Sequence, residues 1–140
     1  MKQTAKRWLA CAPSIFIMAA IYLLSSRTGD ELNTFLPWFQ KLFPAMASFD
    51  WGHFLAYFVL SLTFAYAFGR RGESWLAKLL IIVMCVAYGV TDEYHQSFVA
   101  GRTPDPDDLL HDGIGAALAV LLLAVPRVRT LWRRLVLRPE

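Results

Sequence analysis

Four stretches of the chain are almost continuously apolar, and the polar and charged residues concentrate between them. Each stretch has 16 to 18 residues. At about 1.5 Å per residue a helix of this length reaches roughly 24 to 27 Å, close to the thickness of a bilayer core. Because a lone apolar segment satisfies its own backbone in lipid only as a helix, the pattern predicts an all-α membrane protein, a four-transmembrane-helix bundle. The predicted spans are residues 8–24, 51–68, 76–91 and 109–125.

The first stretch follows a basic N-terminus, as the apolar part of a secretion signal would. We find no small-x-small cleavage site before the polar pair Ser25 and Ser26, so we expect a retained first helix. Residues 1–140 are then predicted to form a single transmembrane domain.

The first loop contains a segment, about residues 31–43, with the spacing of an amphipathic helix. Thr28 and Glu31 are placed as a capping box, Pro37 predicts a kink, and Pro44 is expected to end the segment. We predict that it lies at the outer membrane interface, and the alternative is a lid without chemistry. Its apolar positions are Leu32, Phe35, Leu36, Phe39, Leu42 and Phe43.

The second outer loop is predicted over residues 92–108, where Gly101 and Pro104 favour irregular backbone. Asp105 before Pro106 is typical of a helix N-terminus. Asp112 lies about a turn further on, beyond the reach of a cap, so it needs another explanation. The small residues within 113–119 predict close helix packing.

Composition supports the membrane interpretation. Hydrophobic residues make up 56% of the chain and charged residues 18%, and the mean hydropathy is +0.41. A water-soluble domain of 140 residues cannot bury so much apolar side chain. Two cysteines in apolar runs, Cys11 and Cys85, exclude a disulfide scaffold.

The distribution of basic residues predicts the orientation. Eleven of the 14 flank the apolar stretches on one side, at both termini and between the second and third spans. Arg27, Lys41 and Arg102 lie on the other side. The positive-inside rule therefore predicts that both termini are cytoplasmic. The basic C-terminal tail fits anionic lipid better than nucleic acid, so we expect no nucleic-acid partner.

Several ionisable or polar side chains fall near the helix ends at one predicted surface, the outer one. Each charge costs about 2.5 to 3.5 kcal/mol at the centre of a lipid-embedded helix, so their presence needs a reason. Three explanations are open: a divalent metal site, an acid–base pair, or a polar network that only holds helices together. The residues concerned are His53, Tyr57, Asp92, His95, Asp108 and Asp112.

Arg102 is the only basic residue of the second outer loop. It could neutralise Asp92 or Asp108, or its planar guanidinium could bind a phosphate or carboxylate on a headgroup.

The run of residues 92–102, Asp-Glu-Tyr-His-Gln-Ser-Phe-Val-Ala-Gly-Arg, followed by Asp108, Asp112 and Gly115, resembles the signature of the VanZ-like family of small integral membrane proteins. Ser25-Ser26 and the His53-Phe54-x-x-Tyr57-x-x-Leu60 pattern match as well. The resemblance implies a multi-pass protein of the bacterial inner membrane, at the cell envelope. It also implies a relationship to the family's namesake, which is associated with low-level teicoplanin resistance. Family members often have a Lys before the histidine, where this chain has Asp50-Trp51-Gly52.

Two functions are expected from these residues. The first is an enzyme that acts at the outer leaflet on a lipid-linked, phosphate-bearing lipid or cell-wall precursor. The second is a non-catalytic binder of a lipid headgroup, a cell-wall precursor or a glycopeptide-type antibiotic, and a structural partner in an assembly is a third possibility. A divalent metal is possible, and the oligomeric state is open. The expected catalytic residues are His53, Asp92, Glu93, His95, Asp108 and Asp112, and the expected substrate-binding residues are Arg102, Ser25, Ser26, Tyr57 and Gln96.

Overall fold

The computed structural model describes residues 2–28, 30–31, 34, 37–38, 41 and 50–136. Over these residues it contains five helices with defined bounds and no strand, which confirms the all-helical class. They are α1 (Lys2–Ser25), α2 (Asp50–Phe68), α3 (Trp75–Gln96), α4 (Pro106–Ala124) and α5 (Pro126–Leu135), and the 3₁₀ turn Gly69–Glu73 links α2 to α3.

Three segments are each long and apolar enough to cross a membrane. They are Trp8–Ser25, Gly52–Glu73 and Trp75–Gln96, with mean hydropathies of 1.9, 1.3 and 1.7. The fourth predicted span is supported only if α4 and α5 count as one broken helix, because the first two turns of α4 contain three aspartates. The two helices meet at 85° since Val125, which precedes Pro126, is extended and cannot continue the helix.

The third span is longer than its apolar run indicates. Helix α3 continues through Gln96, so the residues from Asp92 onward form its last turn and a half rather than the start of a loop. The predicted second outer loop therefore begins at Ser97. At the other end of that loop the predicted start of α4 is confirmed, because the Asp105 carboxylate accepts a hydrogen bond of 2.9 Å from the Asp107 amide and Pro106 is in the first turn.

The helices alternate in direction around a small core. Tyr88 of α3 donates a hydrogen bond of 2.6 Å to the carbonyl of Met18 in α1, and Ser61 of α2 donates one of 3.1 Å to the carbonyl of Ala116 in α4. Many large apolar side chains point outward, as expected for a surface that meets lipid. The buried apolar core consists of Ile21, Tyr57, Leu60, Phe64, Ala65, Ile81, Cys85, Ala116 and Val120.

The closest helix crossing joins α2 and α4 at Gly115. A Cβ atom at this position would overlap the carbonyl oxygen of Phe54 and lie 3.2 Å from the amide of Phe58. Because backbone atoms cannot move aside as a flexible side chain can, only glycine permits this approach. The crossing brings the first turns of α2 and α4 together, which is where the polar residues lie.

The alternation gives the bundle two chemically different ends. We call the end formed by the C-termini of α1 and α3 and the N-termini of α2 and α4 the polar end. The opposite end, the basic end, contains the 3₁₀ turn and α5, and there Arg133 forms a bidentate ion pair with Glu73. Nearby, the ammonium of Lys78 donates to the Glu73 carbonyl at 3.0 Å and lies over the Trp75 ring.

The predicted interfacial segment, residues 31–43, lies for the most part outside the described residues. Its predicted capping box is present. The Thr28 amide donates to Glu31 Oε2 and the Glu31 amide donates to Thr28 Oγ1, each at 3.3 Å.

Gly115→Ala should destabilise the bundle by about 1–3 kcal/mol, because the added methyl group forces the α2 and α4 backbones apart. Thermal unfolding of the purified protein in detergent measures the effect. Gly113→Ala is the matched control, since a Cβ there meets its nearest neighbour, a methyl group of Val86, at an ordinary 3.5 Å. Equal melting temperatures for the two variants would contradict the close crossing.

Candidate functional site

The centre of the polar end is a histidine–carboxylate pair. His53, in the first turn of α2, lies with its Nδ1 3.2 Å from Oδ1 of Asp112, in the second turn of α4. Since an ionised carboxylate only accepts hydrogen bonds, Nδ1 is the donor, and in the neutral ring Nε2 carries the lone pair. Asp112 is completely buried. A carboxylate in such a position requires a partner, and His53 supplies it.

Gly89 of α3 makes room for this carboxylate. A Cβ atom at Gly89 would overlap Oδ2 of Asp112, so the third helix fits against the pair only without a side chain there. The pair therefore depends on two glycines: Gly115 sets the α2–α4 crossing, and Gly89 admits Asp112 against α3.

Two further carboxylates lie near the His53 ring. Its Nε2 lies 3.8 Å from Oδ2 of Asp108, which is too long for a hydrogen bond. One ligand atom each of His53, Glu93 and Asp108 lie within 4.8 Å of one another. Glu93 is positioned by the Asp105 amide, which donates to its Oε2 at 2.9 Å. Three helices thus bring an imidazole and two carboxylates together.

Beside this cluster, Asp92 anchors a hydrogen-bonded network. Its Oδ2 accepts from Ser25 Oγ at 2.9 Å and from Gln96 Nε2 at 3.0 Å. The amide of Gln96 also donates to Glu93 Oε1 at 3.2 Å, and its oxygen accepts two hydrogen bonds from Arg102, one from Nε at 3.1 Å and one from Nη2. Gln96 therefore connects the buried carboxylate to the arginine of the loop.

His95 contacts α1 rather than the central cluster. Its Nε2 lies 3.0 Å from Ser26 Oγ, and the Ser26 hydroxyl donates to the Tyr22 carbonyl at 2.7 Å. Because the only proton of that hydroxyl goes to the carbonyl, His95 Nε2 is the donor and Nδ1 carries the lone pair. The imidazole also lies against the Tyr22 ring, with centroids 4.3 Å apart.

The site residues proposed from sequence all lie at the polar end. The ion-pair partners of His53 are the two α4 aspartates, Asp108 and Asp112, and Glu93 of α3 lies close by. Asp112 is buried in the bundle interior. Arg102 forms no ion pair of 4 Å or less with Asp92 or Asp108 within the described part of the chain.

Tyr57 lies one turn below His53, fully buried, with its ring 6.3 Å from the imidazole and nearly parallel to it. Several buried polar atoms lack a hydrogen-bond partner among the described residues, and three of them belong to predicted site residues: the hydroxyl of Tyr57, Oδ1 of Asp92 and Oδ2 of Asp112. The Asp105 amide positions Glu93, and Gly89 leaves room for Asp112. Neither residue was predicted from the sequence to contribute to the site. The sequence feature that could have identified Gly89 is its position one turn before the acidic Asp92 within an apolar helix.

Comparison with known proteins identifies one family and one distant relative. The family described as VanZ/LLP1 matches residues 9–128. An uncharacterized protein of Schizosaccharomyces pombe is 38% identical over 72 residues, which are 50% of this chain and 43% of that protein. The match thus spans less than half of the relative's length. No solved structure shows a significant match.

Replacing Gln96 with Leu should lower the free energy of unfolding by about 1–3 kcal/mol, because the change leaves buried Asp92 with Ser25 alone and releases Arg102. Thermal unfolding in detergent is the measurement. Ser97→Ala is the control one residue away, where the side chain is exposed and bonds only to its own helix. A Gln96→Leu protein as stable as Ser97→Ala would show that the network carries no stability.

Proposed function

The chain belongs to the VanZ-like family, and from that premise we propose that its polar end binds the phosphate-bearing headgroup of a lipid-linked envelope component and acts on it chemically. The observation that carries the proposal is the pair formed by His53 and the completely buried Asp112. A carboxylate on one imidazole nitrogen fixes the ring and increases the basicity of the other nitrogen. Packing alone does not require an imidazole held in this way with its second nitrogen unbonded.

The depth of the site supports a lipid headgroup. The polar end lies where the apolar spans finish, which is the level of the headgroups in a bilayer. Exposed Ser26 and partly buried His95 and Arg102 provide polar groups there.

The charge of the two ends supports the orientation. Residues 70, 71, 78 and the arginines of α5 belong to the basic end, whereas the aspartates of α4 and the acidic turn of α3 belong to the polar end. Under the positive-inside rule the basic end and both termini are cytoplasmic, and the polar end faces the outside of a bacterial inner membrane.

The second candidate function is non-catalytic binding of a headgroup. It is favoured by Arg102, whose guanidinium Gln96 holds in place through Nε and Nη2 while Nη1 stays uncommitted among the described contacts. A pre-oriented guanidinium lowers the entropic cost of binding a phosphate.

The enzyme and the binder predict different outcomes in cells. A strain that lacks the protein should show an altered profile of polar lipids and lipid-linked precursors by mass spectrometry, and the wild type should restore it. His53→Gln and His95→Gln should fail to restore the profile at normal abundance, since they remove proton transfer and ligation. Asp107→Asn, a change at an exposed residue of α4, should restore it.

Two results would decide against catalysis. If the His53 and His95 variants restore the profile while Arg102→Lys does not, the site is a binding site, because lysine keeps the charge but loses the planar fork. If every variant loses abundance and function in proportion, the network is structural.

Orientation is tested with single cysteines at the two ends of α3. In a background without Cys11 and Cys85, Ser97→Cys should react in intact cells with a membrane-impermeant thiol reagent, because Ser97 lies exposed at the polar end. Ser74→Cys, equally exposed at the other end of the same helix, should react only after lysis. The reverse pattern would place the polar end in the cytoplasm.

A further inference from the structure

The central cluster has the composition of a divalent-metal site. It offers one imidazole nitrogen and two carboxylate oxygens, from His53, Glu93 and Asp108, all within 4.8 Å of one another. Ligand atoms stand about 2 Å from a bound zinc ion. The 3.8 Å between His53 Nε2 and Asp108 Oδ2 is a few tenths of an ångström wider than the separation of about 3.4 Å between two ligands of a tetrahedral zinc ion, and a carboxylate oxygen of Glu93 completes the group.

Two of the three potential ligands are oriented by groups behind them. Asp112 accepts from His53 Nδ1, so the lone pair on Nε2 points away from the buried carboxylate. The Asp105 amide holds Glu93 through Oε2. A carboxylate behind a histidine is the usual outer contact of a histidine that binds a metal, because it fixes the tautomer and increases ligand basicity.

The excess of carboxylates also favours a cation. Four carboxylates, those of Asp92, Glu93, Asp108 and Asp112, surround one imidazole, and Arg102 is bound to the Gln96 amide rather than to any of them in the described structure. Two of them, Asp92 and Asp112, are at least 97% buried, and each has an oxygen without a hydrogen bond among the described residues. Such an excess of negative charge near apolar spans is costly unless it is compensated.

We propose that His53, Glu93 and Asp108 bind one divalent first-row transition metal ion, such as Mn²⁺ or Zn²⁺, with Asp112 as the positioning residue for His53. An imidazole in the ligand set favours these ions over Mg²⁺ and Ca²⁺, which prefer oxygen alone. Three protein ligands leave further coordination positions open to water or to a phosphate oxygen.

A bound metal ion removes an electrostatic objection to the proposed binding of a phosphate headgroup. This role of the metal rests on the proposed function. Four carboxylates repel a phosphate, whereas a divalent ion between them attracts it. The ion also changes the part played by His53, which becomes a ligand rather than a proton carrier.

The binding test uses the full-length protein, purified in detergent, stripped with EDTA and then dialysed. Titration with Mn²⁺ followed by electron paramagnetic resonance, and with Zn²⁺ by calorimetry, should give one site per chain. His53→Gln and Asp108→Asn should each weaken binding at least tenfold, and Asp112→Asn should weaken it by about 10–100-fold, the usual cost of losing an outer contact.

Asp107→Asn is the matched control, because it removes the same charge from the exposed neighbour of Asp108 and should leave the affinity unchanged. Circular dichroism and the melting temperature verify that each variant is folded, and Glu93→Gln replaces any ligand variant that is not. Absence of a stoichiometric site in the wild type, or wild-type affinity in both folded ligand variants, would overturn the proposal.

Failure of the metal site and failure of the headgroup function are separable, because the titrations contain no lipid substrate. If the metal binds as expected but the His53 variant restores the lipid profile in cells, the metal site stands and the headgroup function falls.

Discussion

A carboxylate buried inside an apolar helix bundle must have a partner, and this constraint governs the arrangement of the polar end. Asp112 has no access to solvent, and the imidazole of His53 is its partner at 3.2 Å. The contact demands that α2 and α4 cross closely, which Gly115 allows, and that α3 leave space, which Gly89 provides. Packing and chemistry therefore depend on the same crossing.

The loop after α3 is joined to the same centre. Gln96 connects Asp92 with Arg102, and the Asp105 amide holds Glu93, so the second half of residues 97–105 is tied to side chains of α3. Arg102 is therefore only one hydrogen-bonded neighbour away from Asp92 and from Glu93 of the His53 cluster.

Much of this architecture could be predicted from the sequence. The apolar runs and turn residues predicted the helical class, and the capping residues Thr28 and Asp105 predicted where helices start. The alternating direction of the spans predicted that the polar side chains lie at one end. The end of α3 was missed because hydropathy marks Asp92 to Gln96 as loop, although Asp92 and Gln96 are spaced as neighbours on one helix face.

Individual partners could not be predicted from the sequence, because they depend on the angle and depth of the helix crossings. His53 meets Asp112 and Asp108 because Gly115 lets α4 approach α2 more closely than a side chain would permit. The predicted fourth span is also less simple than its apolar run indicates, because Pro126 breaks it and the first turns of α4 are acidic.

The orientation of the His53 ring by Asp112 is tested most directly by nitrogen-15 NMR of histidine-labelled protein, at a pH where the ring is neutral. With three histidines in the chain, His53→Gln identifies the signals by their loss. We expect a proton on Nδ1 and none on Nε2, and a changed spectrum in Asp112→Asn. A His53 ring protonated on Nε2, or one unaffected by Asp112→Asn, would contradict this orientation.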